Sequence, residues 1–412
     1  MRGSPPNGLR GHSVFILGSL FPALGALHAL TAKGVDCWVC CWERGVASWS
    51  RHARYVRIPD PRLDDQGMVE SLRALLKQVG GTPAMIPTDD CYAQALAKHR
   101  SELDDVAIPC VADRGTVELL VSQLEFSKWG AANAISSPRA ARANDPDFAL
   151  PLPLVAKPIN KSDFRIIAQQ SGKDAADFRF ALLTTKEQFN FYKERHSCYL
   201  DHVVFQEFIP GNTADMYSIG IYADRSSEIL GLFVGRKLRG YPAMYGNTKL
   251  GQNDWVPTAV VNEVRGIVRQ LAYTGIAEFE YRRDPRTGDF RLIEINPRCW
   301  SWIGVTAFSE VNIPWIAYQD LIGLRPAPVV DNASPGRLKY VQIMSDCANV
   351  FLRYRWDHPA WLLGPRSWWS SLKAERLMVA EFHRGDWPIA LVCFAMLCKN
   401  AGLLIQRRLK RS

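Results

Sequence analysis

Hydrophobic and polar positions fall in blocks whose period changes along the chain. Residues 13–17 are a short apolar run, residues 23–33 carry apolar positions at helical spacing and stop at Gly34, and residues 35–42 form a second apolar run rich in β-branched and aromatic side chains. An amphipathic pattern over 68–79 and a third apolar run over 83–87 complete a strand–helix rhythm. That rhythm predicts a small parallel sheet covered by helices. Gly18-Ser-Leu-Phe-Pro-Ala-Leu-Gly25 lacks G-x-G-x-x-G spacing and reads as a tight strand–helix turn. Thr88-Asp-Asp90 reads as a helix N-cap first and a ligand contact second.

A stretch dense in Pro, Ala, Asn and Asp at 136–153 marks a boundary, and the pattern beyond it shifts to short strands. These are expected at 154–158, 178–184, 203–208, 217–223 and 229–236, the last two joined by the polar turn 224–228. A helix is expected over 259–274, then paired strands at 275–281 and 290–295 around Asp284-Pro-Arg-Thr-Gly288. The middle third thus predicts a mostly antiparallel sheet with helices on one side, and the chain as a whole an α/β (α+β) protein. After Pro326 come Trp356, Trp361, Trp368, Trp369 and Trp387, and an amphipathic helix over 389–409 that runs into Gln406-Arg-Arg-Leu-Lys-Arg411. Such a helix either docks on the protein or lies on an anionic membrane surface.

Composition narrows the classes. With 412 residues, 47% hydrophobic and 22% charged, the chain suits two or three packed domains and excludes a disordered one. Ten cysteines include no pair of CxxC motifs at zinc spacing, which predicts reduced, mostly buried thiols in a cytoplasmic protein. No secretory h-region follows Arg2 and Arg10, and no run reaches the roughly 20 apolar residues of a spanning helix. The net charge of +9 is spread along the chain without a nucleic-acid recognition motif. Positive charge around a cleft for an anionic ligand accounts for it as well.

The densest chemistry is Glu280 followed by Glu294 and Asn296. A separation of 14 (294 − 280) puts the carboxylates on neighbouring strands of one hairpin-like unit, and alternation puts Glu294 and Asn296 on one face. Hard oxygen ligands of this kind suit Mg²⁺ with substrate phosphates and water. Glu278 shares the face of Glu280, so either could be the ligand. The apolar neighbours Phe279, Leu292, Ile293 and Ile295 argue against a merely solvated acidic face. Arg298 lies two residues beyond Asn296, where a planar fork could take a carboxylate or acyl phosphate; the alternative is a surface ion pair with an acid such as Glu310. No H-E-x-x-H spacing or Ser–His–Asp arrangement competes.

Glu294-Ile-Asn-Pro-Arg298, with Glu280 before it, resembles the metal-binding signature of the ATP-grasp superfamily, which includes carbamoyl-phosphate synthase, biotin carboxylase and D-alanine–D-alanine ligase. Val155-Ala-Lys-Pro158 resembles the strand whose lysine reaches the ATP phosphates. Val204-Phe-Gln-Glu-Phe-Ile-Pro-Gly211 resembles the hinge between the two lobes that grip adenine. Phe233-Val-Gly-Arg-Lys-Leu-Arg-Gly-Tyr-Pro242 is similar to a stretch of bacterial predicted carboxylate–amine ligases. The motifs keep the family's order, and the resemblance covers roughly residues 13–325.

The resemblance implies a preATP-grasp α/β domain at 1–120, a two-lobed ATP-grasp domain at 121–325 with its hinge near 204–211, and a helical, Trp-rich extension at 326–412. It implies ATP and Mg²⁺, with Mn²⁺ as substitute, and a carboxylate–amine or ammonia ligase working through an acyl phosphate on small-molecule substrates. Lys157 would reach phosphate; Gln206, Glu207, Phe208 and Ile209 would line the adenine; Asp215 would meet the ribose or shape a turn. Glu280, Glu294 and Asn296 would hold metal. Lys237 and Arg239, alternating on one strand, would neutralise triphosphate or orient a carboxylate, with Arg298 beside them. No nucleic-acid partner is expected. The location expected is cytoplasmic, with contact at the inner membrane face left to the basic helix. Two positions depart from the family. Ser122-Gln123 stands where an Asp and a second phosphate-binding lysine are usual, with Lys128 the nearest substitute, and 160–173 holds only Gly172 where a glycine-rich loop is usual. A catalytically lapsed nucleotide-binding or scaffold protein is the rival those departures favour; a membrane-associated interaction protein is the rival the basic helix favours.

Overall fold

The computed structural model describes residues 12–145, 148–162, 164, 167, 180–243, 246–331 and 333–409, with side chains described except at 356, 357 and 400–409. The opening apolar runs become strands because both their faces are covered. β1 (Val14–Leu17), β2 (Cys37–Cys41), β3 (Ala53–Arg57), β4 (Ala84–Pro87) and β5 (Ile108–Pro109) form a parallel sheet in the order β3-β2-β1-β4-β5. β3 escapes the hydrophobic pattern because it is an edge strand whose Arg54 and Arg57 face solvent. Helix Phe21–Thr31 is buried over most of its length, and helix Asp65–Val79 is capped by Asp64, whose carboxylate accepts from Gly67 N.

A second sheet, in the order β6-β9-β7-β8, pairs β6 (Ala140–Ala141), β7 (Leu154–Pro158), β8 (Ala181–Leu183) and β9 (Val203–Glu207) antiparallel. It has its own core of Leu154, Ala156, Phe164, Leu183, Tyr192, Tyr199, Val203 and Phe205. The expected strand 178–184 begins outside the described residues, as does most of the glycine-poor stretch 160–173.

The third sheet carries the acids. Its order is β14-β13-β10-β11-β12-β16-β17, from β10 (Met216–Ala223), β11 (Ile229–Tyr241), β12 (Asn247–Asn253), β13 (Gly275–Arg283), β14 (Phe290–Asn296), β16 (Leu338–Val341) and β17 (Arg376–Val379), with β15 (Val329–Val330) on β11. β11 runs past the expected end at 236, and β12 was hidden by its polar sequence Asn-Thr-Lys-Leu-Gly-Gln-Asn. One face of β10 and β13, with Tyr217, Ile219, Ile221, Ala277, Phe279 and Tyr281, joins a core shared with the parallel sheet's Phe15, Leu17 and Met85. The opposite face is roofed in part by Trp300 and Trp302, both fully buried. A Cβ at Gly220 or Gly235 would collide with those indole rings, so glycine is what lets the segment after β14 lie flat on the sheet. The segment holding Arg298 is therefore fixed by packing.

The ten cysteines are all free thiols, seven of them buried. No helix among the described residues is long and apolar enough to cross a membrane.

Candidate active site

In the register of β13 on β14, Glu280 stands opposite Glu294 and Glu278 opposite Asn296. A bulge between Glu280 and Tyr281 brings Tyr281 opposite Leu292 and skips Ile293. Leu292 and Ile295 consequently both reach the core while Glu294 stays on the site face. The amide nitrogen of Asn296 lies 3.1 Å from Glu278 Oε2, 3.4 Å from Glu280 Oε1 and 3.3 Å from Glu294 Oε1. Three carboxylates thus converge on one point. Ser218, opposite Glu280 on β10, donates to Glu278 Oε1 at 2.7 Å.

Such a cluster of acids stands only with cations around it. Lys237 Nζ donates to Glu280 Oε2 at 2.7 Å, and Lys161 Nζ lies 2.9 Å from each oxygen of Glu294. Gln123 Nε2 adds a contact to Glu294 Oε2 at 3.1 Å. Burial opposes ionisation of Glu294, but Lys161 and Lys157 outweigh it and hold the carboxyl well below the usual range. Glu278 goes the other way: burial and the charge of Glu280 push its carboxyl up. Burial pulls the Lys237 ammonium down, yet Glu280 and Glu278 leave it raised overall. Lys157, buried on β7, is lowered to about 8 by burial and by Lys161, with Glu294 and Glu280 only partly compensating.

Arg298 is turned differently from the fork expected for it. Its Nε donates to Asp90 at 2.8 Å, Nη2 to Asn296 Oδ1 at 3.0 Å and Nη1 to the Cys299 carbonyl at 3.0 Å. The partner is Asp90, at the start of helix Asp90–Lys98, and Glu310 takes no part. Arg298 thereby orients the very amide on which the three acids converge.

Arg239 is not brought to the cluster. A bulge between it and Lys237 breaks the expected alternation, and its guanidinium lies on buried Asp346 at 2.8 and 2.6 Å and on Ser371 at 2.9 Å. The expected role at the triphosphate does not fit a guanidinium held in this way. Asp215 accepts from Asn212 N at 2.8 Å in a capping box, the turn-forming alternative. On the hinge, Gln206 pairs with Val155 and Ala140 within the second sheet. Glu207 N donates to the Arg139 carbonyl at 2.9 Å, and its carboxylate takes the Arg139 side chain at 2.8 Å. Phe208 N donates to the Pro153 carbonyl at 3.2 Å, and the Ile209 carbonyl accepts from Arg282 at 3.0 Å, leaving the Ile209 N–H outside these bonds.

Lys161 and Ser218 at the site were not singled out from sequence, Asp90 was read within Thr88-Asp-Asp90 as a cap first and a ligand contact second, and Gln123 was read only as a departure. Lys128, the expected substitute, instead pairs with Glu125 in solvent. A signal for Lys161 existed: it follows Lys157 by four residues, three past the end of β7. The carboxylate oxygens are the kind Mg²⁺ takes, while Asn296 turns its amide nitrogen to them and its oxygen to Arg298. Glu280 and Glu294, with Glu278 behind them, could hold it, and Asn296 would join them only with its amide turned over.

No family model matches the sequence. A D-aspartate ligase of Enterococcus faecium (strain Aus0004) is 24% identical over 255 residues, covering 59% of this chain and 59% of that protein. Among solved structures, N5-carboxyaminoimidazole synthetase from Staphylococcus aureus superposes with a TM-score of 0.60 at 10% identity, over 86% of this chain and 89% of its own. The biotin carboxylase domain of Hydrogenobacter thermophilus 2-oxoglutarate carboxylase, in complex with MgADP and bicarbonate, gives 0.58 at 12% identity over 78% and 72%. The chain shares the fold of these neighbours over most of its length: the protein has the ATP-grasp fold.

Proposed function

We propose that the protein is an ATP-dependent ligase that joins a carboxylate to an amine or ammonia through an acyl phosphate. The observation that carries this reading is the convergence of Glu278, Glu280 and Glu294 on the Asn296 amide, ringed by Lys157, Lys161, Lys237 and Arg298. Glu280 and Glu294 would hold Mg²⁺, which would supply positive charge against the negative charge that develops on the ATP phosphates. Lys157 and Lys161 would take phosphate oxygens, since nucleotide would replace for them the counter-charge Glu294 now supplies. The Ile209 N–H and the neighbouring hinge backbone would receive adenine. Lys237 would sit beside the transferred phosphoryl group. Arg298 would hold Asn296 in place and present its remaining N–H groups to the substrate carboxylate. Little covalent chemistry falls to side chains, so positioning and charge lower the barrier.

The D-aspartate ligase relative makes an acidic D-amino acid the first carboxylate or amine to try, although the chain spans 59% of that protein. Gln123 favours the rival of a lapsed enzyme that only binds nucleotide. Phosphate release from Mg–ATP, screened across D- and L-amino acids, short peptides and ammonia, separates the two. Release that needs both substrates and stops with EDTA is expected. Tight Mg–ATP binding with no release for any pair would overturn the ligase reading in favour of the lapsed one.

A further inference from the structure

Over residues 387–399, where its side chains are described, helix Trp387–Leu409 meets the body of the protein along a narrow strip. Ile389 is fully buried and Cys393 nearly so, at 7% exposure. At about 100° per residue these two lie together, while Trp387, Leu391, Phe394 and Cys398 gather on the opposite side. That side is open: Trp387 is 61% exposed, Leu391 60% and Phe394 59%. Phe382, just before the helix, is 58% exposed. The helix is therefore apolar on two sides and uses one of them. Isolated exposed apolar residues need no explanation, but a Trp, a Leu and two Phe in one stretch form a patch with an energetic cost in water.

Charge identifies what covers the patch. From Trp387 to Ser412 the sequence contains Lys399, Arg407, Arg408, Lys410 and Arg411 and no acidic residue. Exposed Arg384 lies just ahead of the helix, and Lys399 is exposed one residue past Cys398 on it. A protein groove complementary to five cations in so short a stretch would have to be strongly acidic, whereas an anionic bilayer offers negative charge and an apolar boundary together. Twenty-three residues span about 34 Å, long enough to rest in the headgroup plane. The helix lacks the apolarity to cross.

We propose that the outer face of helix Trp387–Leu409 docks the protein onto an anionic lipid surface, with Trp387, Leu391 and Phe394 entering the headgroup–acyl boundary and the basic run meeting lipid phosphates. This is independent of the catalytic reading.

The test is flotation of the full chain with vesicles of phosphatidylcholine alone or mixed with phosphatidylglycerol. Binding is expected to the mixed vesicles only and to weaken with salt. The double substitution Leu391→Asp/Phe394→Asp, on exposed positions, should weaken it about tenfold or more with the melting temperature unchanged. Arg407→Glu/Arg408→Glu, in the basic run, provides a second variant and should weaken it likewise. Absence of flotation, or equal flotation of wild type and both variants, would overturn the proposal. So would a dimer in light scattering that Leu391→Asp/Phe394→Asp dissociates, because the face would then belong to a second copy of the chain.

Discussion

Lys157 is held charged in a place that resists its charge. It is only 9% exposed on β7, and burial with the neighbouring Lys161 lowers its ammonium from the ordinary 10.5 to about 8, despite Glu294 and Glu280. The gap of 2.5 (10.5 − 8), at about 1.36 kcal/mol per pH unit, corresponds to about 3 kcal/mol set against folding at neutral pH. The sign follows from the unfolded chain binding its proton more tightly than the folded one. The penalty is fully present below about pH 8 and disappears as pH rises toward 10.5. Lys157→Met keeps the length of the side chain and removes the charge. Without nucleotide and in EDTA, we expect the variant to be more stable than wild type at pH 7 by up to about 3 kcal/mol. The difference should shrink toward zero by pH 10.5, where the other lysines titrate alike in both proteins. Urea denaturation of the pair at the two pH values measures it.

The same substitution should weaken ATP by about 1.5–3 kcal/mol, roughly ten- to a hundredfold, for the loss of one charge-assisted phosphate contact, while adenosine binding is nearly unchanged. Calorimetry with both ligands reads that contrast. A Lys157→Met protein no more stable than wild type at pH 7, or equal losses for ATP and adenosine, would refute the reasoning. Lys157 would then be an ordinary strand lysine.

Glu294→Gln should abolish turnover and Mg²⁺-dependent ATP binding with the circular-dichroism spectrum retained, since the change is isosteric; wild-type phosphate release would remove Glu294 from the site. Lys161→Met should weaken ATP about tenfold or more, whereas Lys128→Met, whose partner is the exposed Glu125, should leave it unchanged, and equal effects would contradict the placement of Lys161. Arg298→Lys keeps the charge but cannot span both Asp90 and Asn296; a ten- to a hundredfold loss, roughly, in turnover is expected with ATP affinity less affected, and unchanged kcat and carboxylate KM would sink the assignment.

Much of the fold was legible because burial on two faces leaves a strong mark. β1, β2 and β4 are nearly unbroken apolar runs, and β13 and β14 announce their pairing through Glu280, Glu294 and the turn between them. β3 and β12 were not legible, since an edge strand with outward arginines and a polar strand between neighbours obey no hydrophobic period. Bulges set a second limit. Alternation holds from Glu278 to Glu280 and from Glu294 to Asn296, and it fails from Lys237 to Arg239, where one irregularity delivers the guanidinium to Asp346 of helix Ile343–Ala348. Nothing local in Lys-Leu-Arg reports that shift, and the partner it meets lies more than a hundred residues away.

The charge balance around Glu294 shows why a position-by-position comparison misleads. At Gln123 a lysine was expected, and its absence counted against nucleotide binding. Gln123 still reaches Glu294, through its amide at 3.1 Å. An ammonium also stands there, supplied by Lys161 from the segment that follows β7. A phosphate responds to where positive charge lies in space, and the chain element that carries it changes the Coulomb energy only through distance and solvent access. The Lys161 side chain is 45% exposed, so it meets the site from its solvent side. The buried and unpartnered Gln123 Oε1 fits the same logic: an acceptor in that place repels phosphate oxygen but suits a donor. Gln123→Lys would therefore not simply restore a lost function. It would set a third ammonium beside Lys161 and Lys157 over one carboxylate, and the added repulsion should lower Lys157 further and cost stability wherever nucleotide is absent.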